Sequence, residues 1–187
     1  LAAGKHTLVE KPLDISLQRA EELVQIAEAS QLCFGVVLQH RFRAGAVRLR
    51  ELLVSDALGQ LQAGMLQVPW WRSQAGYYAQ GGRGTRERDG GGVLLTQAIH
   101  SLDLFRSLVG VRKVVAAQVV TTAIHQMETE DFVSALLTLG NGAPGNLMAT
   151  TAMYPGRAES IELVFTEANE SLMGGRLPVS YHAGRTA

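Results

Sequence analysis

The first 59 residues alternate between strand-like and helix-like segments, and this order restricts the possible folds more than any other feature of the chain. In order, the segments are a strand at 6–9, a helix at 17–31, a strand at 32–39 and a helix at 44–59. Asp14 or Ser16 can cap the first helix, and Gly59 closes the second. The pattern predicts a βαβ crossover between parallel strands. Because two strands cannot form a doubly wound sheet, we expect most of this layer to lie outside the chain.

The first strand ends in the tetrapeptide EKPL at 10–13. Proline lacks an N–H donor and fixes φ, so Pro12 stops the strand ladder. Glu10 and Lys11 therefore lie at the carboxyl end of a strand, the edge at which ligands bind in open α/β sheets. This stretch alone is also compatible with a solvated strand terminus.

After Gly59 the pattern becomes mainly β. Strands are predicted for the segments QLQAGMLQV, KVVAAQVV, EDFVSALLTL, NLMATTAMY, IELVFT and LPVSYH. In EDFVSALLTL, one face of the strand carries an alternating apolar series: Val133, Ala135, Leu137 and Leu139. One helix, GVLLTQAIHSLDLFRSLVG at 92–110, interrupts the strands. The predicted fold class is α/β (α+β), with a mostly antiparallel open sheet covered by helices on one face.

The segment GNGAPG at 140–145 matches the glycine spacing of a dinucleotide-binding loop. That loop must be followed by a helix whose N-terminus meets the pyrophosphate, whereas the residues that follow here alternate as a strand does. The segment is therefore interpreted as the turn of a β-hairpin.

The composition excludes several classes of protein. The 187 residues have zero formal net charge and no basic run, so nothing favours nucleic acid or an anionic membrane as a partner. The single cysteine, Cys33, can form neither an internal disulfide nor a cysteine zinc site. With no secretory pattern, we expect a reducing compartment and a cytoplasmic location.

Residues 69–92, PWWRSQAGYYAQGGRGTRERDGGG, are rich in aromatic residues, arginine and glycine and show no clear periodicity. We interpret them as a long loop, and long loops in compact domains are usually functional or disordered. Aromatic faces together with Arg72 or Arg83 suit a polar ligand with carboxylate or hydroxyl groups. The alternative is a surface loop whose aromatic side chains simply cover the sheet.

The predicted helix after this loop carries Thr96, His100 and Asp103 at spacings that place them on one face, and Ser107 extends the stripe. No second histidine or cysteine has the spacing of a metal ligand, so no metal site is expected. Histidine titrates near neutrality, so a proton-transfer site is reasonable. A solvated helix face that happens to carry a histidine is the alternative.

Two separated motifs resemble those of the Gfo/Idh/MocA family of oxidoreductases. AGKHTLVEKPL at 3–13 is similar to the family strand that carries the EKP motif, and GGRGTRERDGGGVLLTQAIHSLDL at 81–104 resembles the block that opens its active-site helix. The likeness extends over roughly residues 1–165 and fades in the last twenty residues.

The resemblance implies an NAD(P)-dependent dehydrogenase that transfers hydride between nicotinamide and the hydroxyl-bearing carbon of a sugar, polyol or related small molecule. Lys11 matches the EKP lysine, near the nicotinamide and the reacting hydroxyl, and His100 matches the histidine of a D-x-x-x-H pattern. Thr96 occupies the position of the aspartate in that pattern, and some members have asparagine there. Lys11 and His100 are therefore the predicted catalytic pair, because His100 can accept the alcohol proton while Lys11 stabilises the developing carbonyl.

The resemblance further implies that Glu10, Lys11 and Pro12 line the nicotinamide end of an NAD or NADP site whose main binding loop is not in this sequence. The candidate substrate-binding residues are Trp71, Arg72, Tyr78, Arg83, Thr96 and Gln97. Residues 1–57 are predicted to be the C-terminal part of a Rossmann-type dinucleotide-binding domain, and residues 58–187 an α+β domain for substrate binding and oligomerisation. We expect a homo-oligomer formed through the open sheet.

A different class of function remains open. A truncated, non-catalytic relative would use the sheet for self-association or for ligand binding. Thr96 and the missing cofactor loop favour this alternative, whereas Lys11, His100 and the aromatic–arginine loop favour the enzyme. Because no residue here holds the pyrophosphate, we expect the 187-residue chain alone to bind NAD(P) poorly and to be inactive.

Overall fold

A computed structural model describes residues 1–182 of the chain. It contains two sheets. β1 (Thr7–Val9) and β2 (Phe34–Val36) are parallel and are joined by helix α1 (Leu17–Ala29). The predicted βαβ unit is therefore present. Ser16 caps α1, since its hydroxyl accepts from the Arg19 N–H, and Asp14 accepts in turn from the Ser16 N–H.

The apolar face of α1 is largely open to solvent. Leu17 is 76% exposed and Val24 is 40% exposed, and α1 buries none of its residues within the described part of the chain. The helical spacing predicted from the sequence is correct, but no described element covers this face.

The large sheet has seven strands in the order β4-β5-β6-β3-β7-β8-β9. Their bounds are β3 (Leu61–Pro69), β4 (Val111–Val120), β5 (Phe132–Leu139), β6 (Pro144–Thr150), β7 (Ser160–Phe165), β8 (Ala168–Met173) and β9 (Val179–Tyr181). All neighbours are antiparallel except β3 and β6, which are parallel. The predicted α+β class with a mostly antiparallel sheet is confirmed. β8 was not predicted, because its sequence ANESLM lacks an apolar alternation.

The predicted hairpin at GNGAPG is present. β5 and β6 pair antiparallel on either side of the turn, in which Gly142 has a positive φ of 92°. The alternating series on β5 is also confirmed, since Val133, Ala135, Leu137 and Leu139 are all buried.

Four further helices accompany the large sheet, and all of them except the one at Arg86–Asp89 contribute buried residues to its core. They are α2 (Ala44–Val54), α3 (Arg86–Asp89), α4 (Val93–Thr96) and α5 (Ile99–Val109), and two short turns accompany them, a 3₁₀ turn at Gln39–Phe42 and a π-helical turn at Gln74–Tyr78. None of the helices in residues 1–182 is both long and apolar enough to cross a membrane.

Helix α2 shares the core of the large sheet. Ala46, Leu49 and Leu52 are buried in the same cluster as Phe105 of α5 and Leu66 of β3. The domain boundary after residue 57 stays a prediction, and this packing favours a boundary on the N-terminal side of α2. Of the C-terminal stretch that is least similar to the family, residues 183–187 lie outside the described part of the chain.

Candidate active site

Lys11 reaches from the small sheet to the helices of the large one. It follows β1 directly, and its Nζ donates a hydrogen bond of 3.0 Å to the carbonyl oxygen of Thr96. Its charge also lies close enough to His100 to lower the pKa of that histidine. The predicted catalytic pair is therefore brought together, although 85 positions separate Lys11 from Thr96. Of the other two EKP residues, Glu10 is exposed and Pro12 is half-buried.

His100 lies in the first turn of α5, and its Nδ1 is buried without a hydrogen-bond partner among the described residues. Burial is the main cause that lowers its pKa below the ordinary value, the positive charge of Lys11 adds to this effect, and Glu10 opposes it. Both main causes disfavour the imidazolium, so His100 is neutral at pH 7 and can act as a proton acceptor.

His40 is a neighbour that the sequence reasoning missed. It lies in the 3₁₀ turn after β2, is 5% exposed, and its ring centroid is 5.1 Å from that of His100. Burial, followed by the charge of Arg43, lowers its pKa to about 4. His40 could have been predicted as a site residue from its position, because it follows the second parallel strand at the same sheet edge as Lys11.

A small cavity lies beside His40. It has a volume of about 10 Å³ and is bordered by His40, Ser101, Arg43 and Glu159, among others. This is room for about one water molecule. The Ser101 hydroxyl is 3.5 Å from His40 Nδ1, and Arg43 Nη1 donates to Glu159 Oε1 at 2.8 Å.

The helix predicted at 92–110 is divided into two, which corrects the sequence interpretation. α4 ends at Thr96, α5 begins at Ile99, and Gln97 and Ala98 lie between them. In a continuous helix the Thr96 carbonyl would accept from the His100 N–H, four residues on. The interruption makes this carbonyl available to Lys11 instead.

Thr96 therefore contributes its backbone rather than its hydroxyl. Its Oγ1 donates to the Gly92 carbonyl at 2.8 Å, within α4, so the side chain is not directed at His100. Asp103, which shares α5 with His100, forms two hydrogen bonds with Arg41, at 2.6 and 2.5 Å. The carboxylate of the predicted stripe is consequently engaged by an arginine.

Gly92, directly before α4, allows the backbone of the helix start to approach the backbone at Glu130 closely. The Gly92 N–H donates to Glu130 Oε2 at 2.9 Å, and the Val93 N–H donates to the Glu130 carbonyl at 2.8 Å. A Cβ on Gly92 would overlap this same carbonyl oxygen. Glu130 thus anchors the start of the helix that presents the Thr96 carbonyl.

Arg72, Gln97 and Arg83 are brought together around a tyrosine. Arg72 Nε donates to Gln97 Oε1 at 3.0 Å, and Gln97 Nε2 donates to the Tyr77 hydroxyl at 2.6 Å. The Arg83 guanidinium lies 4.1 Å from the centre of the Tyr77 ring, and that of Arg72 lies 5.3 Å from the Trp70 ring. Gln97 follows Thr96 directly, so this cluster adjoins the carbonyl bound by Lys11.

Tyr78 does not join this cluster. It is 6% exposed, and its hydroxyl is 2.7 Å from Thr151 Oγ1. Its surroundings are those of a core residue, and its neighbour Tyr77 is the tyrosine that contacts Arg72, Arg83 and Gln97. The sequence could not separate the two, because they are adjacent and identical.

A fully buried histidine–carboxylate pair lies behind Trp71 and Arg72. His125 Nδ1 is 2.7 Å from Asp131 Oδ2, and His125 Nε2 is 2.7 Å from the Arg72 carbonyl oxygen. The Trp71 ring centroid is 5.9 Å from that of His125. Both ring nitrogens lie within hydrogen-bond distance of oxygen atoms, so the ring links Asp131 to the backbone at Arg72. No motif or spacing in the sequence points to this pair.

The chain was compared with known proteins. The family model described as the GFO/IDH/MocA C-terminal domain matches residues 46–169. An uncharacterized oxidoreductase of Synechocystis is 28% identical over 192 residues, with 93% of this chain and 49% of the relative covered. The trans-1,2-dihydrobenzene-1,2-diol dehydrogenase of Mus musculus is 29% identical, with 78% of this chain and 42% of the relative covered. The chain spans about half the length of the curated relatives it matches.

Among solved structures, the WlbA dehydrogenase of Bordetella pertussis, in complex with NADH and UDP-GlcNAcA, superimposes with a TM-score of 0.87 and 28% identity. The match covers 97% of this chain and 56% of that protein. The two curated relatives named above are an oxidoreductase and a dehydrogenase, and the structural match covers nearly the whole chain.

Proposed function

The chain belongs to the GFO/IDH/MocA family, and on this premise we propose that it forms the substrate-binding and catalytic part of an NAD(P)-dependent dehydrogenase. The reaction is hydride transfer between nicotinamide and the hydroxyl-bearing carbon of a sugar, polyol or related small molecule. The observation that carries the proposal is the convergence of Lys11 and His100 at the carboxyl edge of the small sheet.

In this reaction His100 removes the proton of the substrate hydroxyl. It is suited to this step because burial and Lys11 keep its imidazole neutral at pH 7. The ammonium of Lys11 donates to the substrate oxygen, whose negative charge develops as the proton leaves. The Thr96 carbonyl holds this ammonium in position.

The residues present fit the nicotinamide end of a dinucleotide. Glu10, Lys11 and Pro12 follow a parallel strand, and near them lies the Nδ1 of His100, which has no hydrogen-bond partner in residues 1–182. When bound, the nicotinamide supplies the hydride acceptor. The glycine segment at 140–145 is a hairpin turn, so it does not hold the pyrophosphate.

The candidate substrate contacts follow from the cluster beside Thr96. Arg72, Arg83 and Gln97 are joined through Tyr77, and Trp71 borders the same region. We assign Tyr77 to the substrate side in place of Tyr78, whose hydroxyl is engaged by Thr151.

A non-catalytic ligand-binding or self-associating module is the second candidate. The observation that favours it is that Thr96 has no carboxylate and directs its hydroxyl to the Gly92 carbonyl, so His100 has no carboxylate partner at the family position. A proton acceptor without such a partner is less well oriented.

We also propose that the chain self-associates through the large sheet. β4 is an edge strand, and all its residues after Val111 are exposed, including Val115 and Val119 at 56% and 61%. Long apolar edge strands are usually covered by a partner. Light scattering at micromolar concentration is expected to give at least the dimer mass, and a monomer mass would contradict this proposal.

The dehydrogenase is tested by Lys11→Met in the full-length protein, with Lys5→Met as the control at an exposed lysine. Loss of the ammonium is expected to lower kcat by at least about 10²-fold with the thermal melt unchanged. Full turnover in Lys11→Met would remove Lys11 from the mechanism. The 187-residue chain is expected to give no saturable enhancement of NADH fluorescence, because nothing described here holds the pyrophosphate.

A further inference from the structure

A cleft opens where the two parallel strands of the large sheet end. β3 and β6 are parallel, and the segments that follow them, at 70–72 and 151–159, are held together by hydrogen bonds. The cleft is lined by Trp70, Trp71, Arg72, Pro155, Gly156, Arg157, Ala158 and Glu159. Carboxyl ends of neighbouring parallel strands are the usual position of ligands in open sheets.

Two guanidinium groups in this cleft have only neutral partners. Arg72 donates to the Gln97 amide oxygen and to the Trp71 carbonyl, at 3.0 and 3.1 Å. Arg157 Nη2 contacts the sulfur of Met153 at 3.7 Å. Within residues 1–182, neither guanidinium forms a salt bridge.

Glu159, the one carboxylate among the described residues that line the cleft, does not offset these charges. Glu159 Oε1 lies 2.8 Å from Arg43 Nη1, so its charge is already balanced by a third arginine. The cleft therefore has an excess of positive charge next to the apolar surfaces of two tryptophans. A planar guanidinium fork matches the oxygen pairs of carboxylate and phosphate groups.

We propose that the substrate carries an anionic group, a carboxylate or a phosphate, which binds between Arg72 and Arg157. This inference deepens the proposed function and rests on it, since it assigns the anion to the substrate of the dehydrogenase. Arg72 is connected through Gln97 to Thr96, whose carbonyl holds Lys11. The anionic group is thereby held at one end of the site while the reacting hydroxyl lies at the Lys11 end.

The proposal is tested by binding, which requires neither turnover nor cofactor. D-glucuronate, D-glucose 6-phosphate and D-glucose are titrated into the 187-residue chain by calorimetry, with the tryptophan fluorescence of Trp70 and Trp71 as a second signal. The three probes share a sugar ring and differ in charge: the first carries a carboxylate, the second a phosphate, and the third no charged group. At least one anionic sugar is expected to bind about tenfold more tightly than glucose. Its affinity is also expected to fall when KCl is raised from about 50 mM to about 500 mM, because this change shortens the Debye length roughly threefold.

The matched variants are Arg157→Gln and, as a control, Arg50→Gln on the exposed side of α2. Arg157 is exposed, so its replacement is expected to leave the fold intact. The preference for the anionic sugar should be lost in Arg157→Gln and kept in Arg50→Gln. Equal affinity for all three sugars, or no binding of any of them, would overturn the proposal. Because the readout is affinity, it is independent of the turnover test: a preference for the anion together with full turnover of Lys11→Met would refute the proposed role of Lys11 alone.

Discussion

The ammonium of Lys11 lies 3.0 Å from the carbonyl oxygen of Thr96. This hydrogen bond connects the residue that follows β1 with the last residue of α4, next to the gap between α4 and α5. This contact places a positive charge beside His100, and the charge adds to burial in lowering the pKa of the imidazole. The small sheet therefore contributes a charge that adds to burial in favouring the neutral form of a residue on the large-sheet side.

The first prediction concerns this charge. In Lys11→Met the pKa of His100, followed by NMR titration of its ring protons, is expected to rise toward 6.5, because a cation that disfavours the imidazolium has been removed. Lys5→Met, at an exposed lysine, should leave the titration of His100 unchanged. An unaltered His100 titration in Lys11→Met would mean that the two side chains do not share a site.

A second prediction concerns His40 and the pH dependence of stability. Its folded pKa of about 4 lies below its ordinary value of 6.5, so the unfolded state binds more protons between these values. Stability is therefore lost as pH falls from 6.5 to 4, by about 3 kcal/mol from this residue. Urea unfolding of His40→Gln should show a shallower loss over this interval. His182→Gln, at an exposed histidine, serves as the control, and parallel pH profiles for the wild type and His40→Gln would refute the prediction.

Glu170 on β8 should have the opposite pH dependence. It is 2% exposed, lies between Leu163 of β7 and Val179 of β9, and neither carboxyl oxygen has a partner among the described residues. Burial raises its pKa to about 7, from an ordinary value of 4.5. The stability that this shift contributes is present below pH 4.5 and is lost as pH rises through 7.

The replacement Glu170→Met is therefore expected to stabilise the protein more at pH 8 than at pH 4, by about 3 kcal/mol in the free energy of unfolding. Glu162→Met, on the adjacent strand and only half-buried, is the matched control. If Glu170→Met gave the same change in stability at both pH values, the pKa of this carboxyl group would have to be the same in the folded and unfolded states.

The buried pair of His125 and Asp131 is expected to hold the backbone at Arg72. Asp131 also accepts from the Thr122 N–H and hydroxyl, at 2.8 and 2.7 Å. Asp131→Asn replaces the carboxylate that His125 Nδ1 contacts at 2.7 Å with an amide, and leaving a buried polar group without its partner costs about 1–3 kcal/mol. Chemical denaturation is the measurement, with Glu87→Gln at an exposed position of α3 as the control. A loss no larger than that of the control would show that the pair contributes little to stability.

Periodicity in the sequence was sufficient to predict a helix or strand where that segment has one buried face. The alternation on β5, the βαβ order and the hairpin at 140–145 were all predicted for this reason. The interruption between α4 and α5 was not predicted. Apolar residues recur at helical spacing on both sides of Gln97 and Ala98, and no helix breaker such as proline stands between them.

The candidate site was predicted in part. Lys11 and His100 came from motifs, Arg72 and Arg83 from the aromatic–arginine segment at 69–92, and Gln97 from the family-like block at 81–104. His40 and the His125–Asp131 pair depend on contacts between distant segments, which a single sequence does not record. The choice of Tyr77 over Tyr78 depends on which ring the turn at 74–78 directs into the core.

The packing of α2 against the large sheet has a consequence for engineering. Ala46, Leu49 and Leu52 need the neighbours supplied by α5 and the strands. A chimera that exchanges the N-terminal layer should therefore be joined before Arg43, whose own ion pair with Glu159 stays on the retained side. A junction after residue 57 would instead bring a foreign helix against this apolar surface, and the hybrid would have to be repacked before it could fold.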